Sequence, residues 1–231
     1  MLGTWFKAES PLSRKDQKRL ADWVDLPEPD TATDMREIRT VVYDCETSGL
    51  NTKTDALLSI GAVSLQHGAL DLGEPFESVL RQKQVRESPA VLIHGIGRDT
   101  QLGGEDPVEA LVRLLEFVGK APLIAYHAPF DAAIFKRAAA DTLGATIKRK
   151  WLDLAVLCPL VFDTADSRGI DGLDAWLDRF RIVHPARHDA LGDAWAEAQL
   201  WQITEAEGRK RHQVTTLRGW LELQKSGKWM R

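Results

Sequence analysis

The sequence of 231 residues predicts an α/β fold in which helices flank one mixed sheet of five strands. Between positions 39 and 81, three short stretches of β-branched or alternating apolar residues follow one another, which is typical of an antiparallel meander. From position 106 onwards, helical patterns alternate with short apolar runs, and this alternation indicates strands added in parallel. The expected sheet therefore combines a three-stranded antiparallel meander with parallel strands.

The predicted meander consists of RTVVYDC at 39–45, ALLSIGAVSLQ at 56–66 and a stretch near PFESVLR at 75–81. The two segments between them, SGLNTKTD and HGALDLGE, are rich in Gly, Asn and Asp and therefore predict turns. This part of the chain is expected to fold locally, with each strand pairing with the next.

The second half of the chain predicts helices separated by short strands. Residues 106–119 place apolar side chains at helical spacing, with Asp106 as the N-cap and Gly119 as the stop. APLIAYH at 121–127 predicts a strand, and the helix after it opens on Pro129. Further predicted elements are a strand leading into a helix that ends near Pro159, a short helix at 172–182 and a long helix at 188–210.

Both ends of the chain are predicted to lie outside the main domain, which is assigned to residues 38–206. Residues 1–37 read as a helical extension and linker, in which Ser13 and Asp16 resemble a capping box. Residues 207–231 read as a basic tail that contains Trp residues.

The charge of the tail differs from that of the rest of the chain. Positions 208–231 carry seven Lys or Arg against one Glu, so this segment has a charge of +6 and the remainder a charge of −10, which together give the net charge of −4. Trp220 and Trp229 could stack on nucleic-acid bases from this tail, or they could anchor a terminal helix on the domain or on a partner chain.

Composition indicates an ordinary globular protein, with 44% hydrophobic and 28% charged residues. No apolar run approaches the roughly 20 residues that a membrane-spanning helix needs, and the first residues lack the apolar core of a secretory signal. We therefore expect a cytoplasmic protein without a membrane partner. Cys45 and Cys158 lie in apolar stretches, which favours buried free thiols over a disulfide or a zinc site.

Acidic residues stand at the ends of several predicted elements. Asp44 and Glu46 are two residues apart on a strand, so they point to the same face. Asp131 lies at a strand-to-helix turn, where it could also do no more than cap the helix. His188 and Asp193 lie at the start of the long helix, about 140° apart if both are helical, so both reach one site only if His188 lies on the segment leading into the helix.

These four acids predict a metal site. The small residues Ala190, Gly192 and Ala194 would let the long helix approach the strand that bears the acid pair. Four carboxylates that converge without a nearby Lys or Arg would repel one another, and such oxygen-rich clusters select Mg²⁺ or Mn²⁺. Two ions about 4 Å apart can activate a water molecule and stabilise the leaving oxygen in phosphodiester cleavage.

The same motifs carry a family resemblance. DCETSG, the YHAPFD turn and the H-x-x-x-x-D element occur in this order, together with SIGAV, IHGI at 93–96 and WLDLAVL at 151–157. From about Arg39 to Leu200 the sequence resembles the DEDDh class of 3′-5′ exonucleases, which includes the epsilon proofreading subunit of the bacterial replicase, RNase T and oligoribonuclease. The resemblance implies an RNase H-like fold.

The resemblance also implies roles for the acids and the histidine. Asp44, Glu46 and Asp193 would hold one ion of Mg²⁺ or Mn²⁺. Asp44 would also contact a second ion, which Asp131 would reach through water. His188 would be the general base that takes a proton from the attacking water, and His184, four residues earlier, is expected to be a plain loop residue.

The resemblance further implies contacts with the terminal nucleotide and shows where this chain departs from the family. Thr47 and the backbone near it, Leu50 and His94 would bind the nucleotide. The family usually has Thr at Cys45, which should point away from the acids, and Thr at Ser48. It usually has His-Asn where Tyr126 and His127 stand. His127 is therefore a candidate substrate contact that could alter substrate fit. Asp153 is expected to make a structural hydrogen bond.

The sequence thus predicts a metal-dependent 3′-5′ exonuclease that releases nucleoside 5′-monophosphates from single-stranded DNA. A 3′-5′ exoribonuclease acting on short RNA is the first alternative, because the sugar preference depends on details of the pocket. A module that binds nucleic-acid ends or a polymerase without cleaving is the second. A proofreading role would need a polymerase in trans, whereas a free-standing role in repair or RNA turnover would not, and the sequence leaves both open. The extensions at both ends offer surfaces for a homodimer.

Overall fold

The computed structural model describes residues 12–162, 170, 172–184 and 187–227, so the prediction for Trp229 lies outside the described residues. The strands are β1 (Thr40–Thr47), β2 (Leu57–Gln66), β3 (Ala69–Leu70), β4 (Phe76–Val79), β5 (Leu123–Ala125) and β6 (Trp151–Asp153). They form one mixed sheet in the order β3-β2-β1-β5-β6, with β4 also paired to β2. The predicted fold class, a mixed sheet with flanking helices, is confirmed.

The antiparallel half of the sheet is the predicted meander with one addition. β1 pairs with β2 along its whole length and places Asp44 opposite Gly61. β4 pairs with β2 at Ser59–Ala62, and β3 pairs with the far end of β2 at Leu65 and Gln66. β3 has only two residues, and it lies in a segment that the sequence predicts as a turn.

The parallel half fixes the position of the functional edge. β5 pairs with β1 and β6 pairs with β5, both in parallel. The carboxyl ends of these three strands therefore lie at the same edge of the sheet. Asp44 and Glu46 are near this end of β1, and Tyr126 to Ala128 follow β5 there.

The described helices are α1 (Arg14–Val24), α2 (Pro89–His94), α3 (Arg98–Gly103), α4 (Pro107–Val118), α5 (Ala128–Leu143), α6 (Leu154–Val161), α7 (Gly172–Phe180), α8 (Ala190–His212) and α9 (Leu217–Gly227). The predicted caps of two helices are confirmed, because Ser13 accepts a hydrogen bond from the backbone of Asp16 and Asp106 accepts one from Val108. α6 continues two residues beyond Pro159. The short helices α2 and α3 have no counterpart in the sequence prediction.

Alternation along β1 sends its side chains to two different apolar layers. Val41, Tyr43 and Cys45 pack with residues of α1, α4 and α5. Val42 packs on the opposite face, with residues of α6, α8 and α9. Asp44 and Glu46 share the parity of Val42, so they face the side of the sheet that α8 covers.

The terminal segments pack onto the domain. α8 continues across position 206 to His212, and α9 packs on α6 and β6. Trp220 is fully buried, with its ring centroid 4.9 Å from that of Trp201, so it is not available to stack on bases. The division of the chain at residues 37 and 206 stays a prediction. The described part of the chain contains no helix with the length and hydropathy that a membrane span requires.

Candidate active site

Three carboxylates meet at the carboxyl end of β1. Asp44 and Glu46 come from the strand and Asp193 from the first turn of α8. One oxygen from each of the three lies within 4.8 Å of the other two. Glu46 and Asp193 are buried, and Asp44 is half-buried. The arrangement offers a divalent cation three negatively charged ligands from two rigid elements.

A glycine on the neighbouring strand lets α8 come this close. Gly61 is paired with Asp44 across the sheet, and the backbone of Ala190 and Leu191 lies directly over it. A Cβ atom at position 61 would collide with those backbone atoms. The small residues of α8 were expected to let this helix approach the strand that bears the acid pair. The structure shows that a small residue on β2, Gly61, is needed as well.

Burial and mutual repulsion disfavour the ionised forms of the clustered acids. Desolvation, followed by the nearby carboxylates of Glu197 and Asp131, raises the pKa of Asp44 well above its usual range. Burial also raises the pKa of Asp193, although the Arg187 guanidinium offsets part of this effect. A bound cation would remove this cost, because it favours the charged form of each carboxylate.

Asp193 supplies an independent indication that a cation fits. Its Oδ2 accepts hydrogen bonds from Arg187 Nη1 at 2.5 Å and from the His188 backbone at 3.1 Å. Its Oδ1 is buried and has no hydrogen-bond partner among the described residues. A buried carboxylate oxygen without a donor is costly unless a cation completes its surroundings. Asp44, Glu46 and Asp193 are therefore the residues that fit a divalent cation.

Arg187 corrects one expectation. The acids were expected to converge without a Lys or Arg nearby, and that is wrong, because Arg187 forms an ion pair with Asp193 at 2.5 Å. The sequence places Arg187 immediately before His188, but only the folded structure brings its side chain back to Asp193.

His188 lies on the segment leading into α8, two residues before the helix begins. It is exposed and has a positive φ of 63°. With its backbone held by Asp193, its ring lies 6.1 Å from the ring of His94, measured between centroids. The earlier histidine, His184, has a buried Nδ1 atom that has no hydrogen-bond partner in the described structure.

His94 is next to the acids. Its Nδ1 lies 2.6 Å from Oε2 of Glu46. A narrow cavity of about 40 Å³ is lined by Glu46, His94 and His188, together with residues of β2 and β4. The last residue of α2 therefore closes one side of the site.

Asp131 is close to the cluster but is held differently. It lies in the first turn of α5, is buried, and accepts a hydrogen bond from Cys45 Sγ at 3.3 Å. Desolvation raises the pKa of Asp131 to about 8, while the thiol hydrogen bond lowers it. The expectation that Cys45 points away from the acids is wrong for Asp131, because odd-numbered side chains of β1 face α5.

The other predicted substrate contacts surround the strand ends. Thr47 donates its hydroxyl to the carbonyl of Gly49 at 2.6 Å, and Leu50 is 89% exposed. His127 is the N-cap residue of α5, with a φ of 63°, and its backbone donates to Asp153 Oδ1 at 3.0 Å. Asp153 also accepts from Ala155 and so caps α6, which agrees with the structural hydrogen bond expected for it.

Sequence reasoning missed Glu197. This carboxyl group lies one helical turn beyond Asp193 on α8, is 1% exposed and accepts a hydrogen bond from the Tyr126 backbone at 3.1 Å. Desolvation, followed by the charge of Asp131, raises the pKa of Glu197 well above its usual range. Its spacing of four residues from Asp193 was the available signal, since such residues share one face of a helix.

Comparisons with known proteins agree on one family. The exonuclease family model, RNase T, matches residues 41–201. A DNA polymerase III subunit epsilon-like protein of Rhodobacter capsulatus is 30% identical over 201 residues, which cover 86% of this chain and 28% of that protein. The PolC-type DNA polymerase III of Clostridium perfringens is 27% identical over 180 residues, which cover 77% of this chain and 12% of that protein. The chain thus spans less than a third of the length of either relative.

A solved structure supports the fold. The crystal structure of E. coli Exonuclease I in complex with a dT13 oligonucleotide aligns with a TM-score of 0.60 at 18% identity. The alignment covers 76% of this chain and 43% of that chain. At this level of identity the likeness is one of fold.

Proposed function

The chain belongs to the exonuclease family, and from this premise we propose that it is a metal-dependent 3′-5′ exonuclease acting on single-stranded DNA. It would release nucleoside 5′-monophosphates one at a time. The observation that carries the proposal is the group of Asp44, Glu46 and Asp193, whose oxygens lie within 4.8 Å of one another at the strand ends.

The four acids would bind two metal ions. Asp44, Glu46 and Asp193 would hold one ion of Mg²⁺ or Mn²⁺. Asp44 would also face the second ion, and Asp131 would reach that ion through water. When bound, the ions would supply positive charge for the attacking water and for the departing oxygen.

His188 is the proposed general base. Its backbone is held by Asp193 while its side chain remains exposed, so the ring can accept a proton from water at the edge of the acid cluster. His94 lies across from it and would contact the terminal nucleotide rather than the attacking water.

The rim of the site suits a single strand. Leu50 is exposed three residues after the end of β1 and would pack against the terminal base, and Thr47 and His127 would line the same end. A substrate that is consumed one nucleotide at a time needs phosphate contacts and stacking but little base-specific recognition. Two comparisons favour DNA over short RNA. E. coli Exonuclease I was crystallised with a dT13 oligonucleotide, and the two relatives are a DNA polymerase III subunit epsilon-like protein and a PolC-type DNA polymerase III. The polymerase III relatives also favour a role beside a DNA polymerase, which we propose acts in trans in the cytoplasm.

Digestion of matched 5′-labelled single-stranded DNA and RNA with Mg²⁺ or Mn²⁺ tests the proposal. We expect a descending ladder that is faster on DNA, is abolished by EDTA and is absent for Asp44→Ala. His188→Ala should slow the ladder by about 100- to 10,000-fold, because it removes general-base catalysis. Full activity of Asp44→Ala in excess EDTA would contradict the mechanism, and no ladder on either substrate would favour a module that binds without cleaving.

A further inference from the structure

Arg187 connects two helices through two acids. Its Nε lies 2.5 Å from Oδ1 of Asp174 on α7, and its Nη1 lies 2.5 Å from Oδ2 of Asp193 on α8. The Arg187 side chain is 26% exposed, whereas that of Asp174 is 67% exposed. The guanidinium therefore spans from the surface to the buried acid.

This contact settles how Asp193 is oriented. Oδ2 receives two donors, the Arg187 guanidinium and the backbone N–H of His188, whereas Oδ1 is buried without a donor in the described structure. A carboxylate gripped at one oxygen in this way has its other oxygen fixed in direction. This other oxygen is Oδ1 of Asp193, and Asp193 is the third carboxylate of the group that also contains Asp44 and Glu46.

We propose that Asp174 and Arg187 form a clamp that positions Asp193 and His188 for the reaction. The inference rests on the proposed function and adds two residues to it. Neither residue of the clamp touches the reacting atoms. Arg187 donates to Oδ2 of Asp193 and would thereby keep Oδ1 turned towards the cation. The same Oδ2 accepts the hydrogen bond from the His188 backbone, so the ion pair positions both residues.

The clamp is compatible with a nearby cation because its charges are balanced. A lone guanidinium beside the cluster would repel a divalent ion. Asp174 compensates that charge at 2.5 Å, so its removal would both loosen Arg187 and leave its charge unbalanced. Arg suits this position because its planar fork can engage two carboxylates at once, which a Lys ammonium does not do with the same geometry.

Calorimetric titration of the full chain with Mn²⁺, together with steady-state digestion of single-stranded DNA, tests the clamp. Arg187→Gln should weaken Mn²⁺ binding by about 10- to 100-fold, the usual effect of losing a partner that orients a metal ligand. Turnover should fall along with it even at saturating Mn²⁺, because His188 is displaced. Arg187→Lys keeps the charge and should recover only part of the loss.

Arg181→Gln is the matched control, because it removes one positive charge from an exposed position six residues earlier. Its Mn²⁺ affinity and turnover should match the wild type. Asp174→Asn should weaken Mn²⁺ binding by less than Arg187→Gln does. Since the two residues act as one unit, the double variant should be no weaker than Arg187→Gln alone. Thermal unfolding of every variant separates these effects from a general loss of fold.

The outcomes distinguish the clamp from the proposed function. Unchanged or tighter Mn²⁺ binding by Arg187→Gln, full recovery by Arg187→Lys, or simple additivity of the two substitutions would overturn the clamp, even if the wild type digests DNA. A wild type that binds Mn²⁺ through Arg187-dependent affinity but digests nothing would overturn the proposed function and leave the clamp standing. A wild type that binds no Mn²⁺ would overturn both.

Discussion

Asp131 and Asp193 each come from the first turn of a helix, and both are buried near the strand that carries Asp44 and Glu46. Their partners differ in charge. Asp131 accepts a hydrogen bond from the neutral thiol of Cys45, and desolvation raises its pKa to about 8. Asp193 is paired with the Arg187 guanidinium, which offsets part of the rise in pKa that burial causes.

The difference follows from the alternation of β1. Even-numbered side chains of this strand face α8 and odd-numbered ones face α5, so Asp44 and Glu46 meet Asp193 while Cys45 lies under Asp131. Two helix-borne acids of one cluster are thereby prepared for different tasks. Asp193 is oriented and charge-paired for direct contact with a cation, whereas Asp131 lies outside the three-carboxylate group and is suited to act through water.

Replacing each helix-borne acid by its amide gives the largest expected contrast. Asp193→Asn should weaken Mn²⁺ binding by more than the roughly 100-fold that loss of an outer partner can cost, because a ligand itself is lost. Asp131→Asn should weaken Mn²⁺ binding far less while still lowering turnover. Calorimetry and DNA digestion on both variants measure the two effects. Equal losses of Mn²⁺ affinity would remove the distinction between the two acids.

Gly61→Val should damage the Asp193 side of the site selectively. The added side chain collides with the backbone of Ala190 and Leu191, so α8 must move away from β2 and from the rest of the sheet. Overpacking of this kind typically costs about 1–3 kcal/mol or more, and the displacement separates Asp193 from Asp44 and Glu46. Denaturant unfolding and Mn²⁺ titration check this prediction. Gly97→Ala, at a position with nothing near the added Cβ, is the matched control.

Without divalent cations, the stability of the protein should fall as pH rises from about 4 to 8. The folded-state pKa of Asp131 is about 8, above the roughly 3.9 of an unfolded Asp, so the folded state binds more protons in this window and stability decreases with pH. The raised pKa values of Asp44 and Glu197 act in the same direction. Thermal unfolding in EDTA should show the decline, Asp131→Asn should reduce it, and Mn²⁺ should oppose it. A melting temperature that rises across this window in EDTA would contradict the raised pKa values.

The smallest expected effect concerns the thiol under Asp131. Cys45→Ala removes the hydrogen bond and should cost about 1 kcal/mol of stability with a modest loss of turnover, whereas Cys45→Ser keeps a donor and should retain more of both. Mn²⁺ affinity should change little in either variant, because Asp131 is outside the three-carboxylate group. A large loss of Mn²⁺ affinity in Cys45→Ala would place Asp131 among the direct ligands.

The sequence predicted the sheet and the acids because both depend on local periodicity. Strand alternation put Asp44 and Glu46 on one face. The spacing of His188 and Asp193 indicated that both could reach one site only if His188 lay on the segment leading into the helix, and the structure has it there. The mixed sheet also follows from the order of strand and helix patterns. Short helices such as α2 and α3 were missed because six residues carry little periodic signal.

What the sequence did not predict depends on contacts between distant elements. Arg187 precedes His188 in the chain, but its pairing with both Asp174 and Asp193 requires α7 and α8 to be in place. The Cys45 thiol meets Asp131 only through the packing of α5 on β1. The role of Gly61 likewise appears only when α8 lies across β2, since no local pattern marks which strand residue must be small.

An anomalous difference map from crystals soaked in Mn²⁺ would test the central claim most directly. The account predicts a Mn²⁺ ion held by Asp44, Glu46 and Asp193 Oδ1, a second one beside Asp44 on the side of Asp131, and loss of the first in Asp193→Asn. A map with no Mn²⁺ among these three carboxylates, in crystals that take up Mn²⁺ elsewhere, would contradict it.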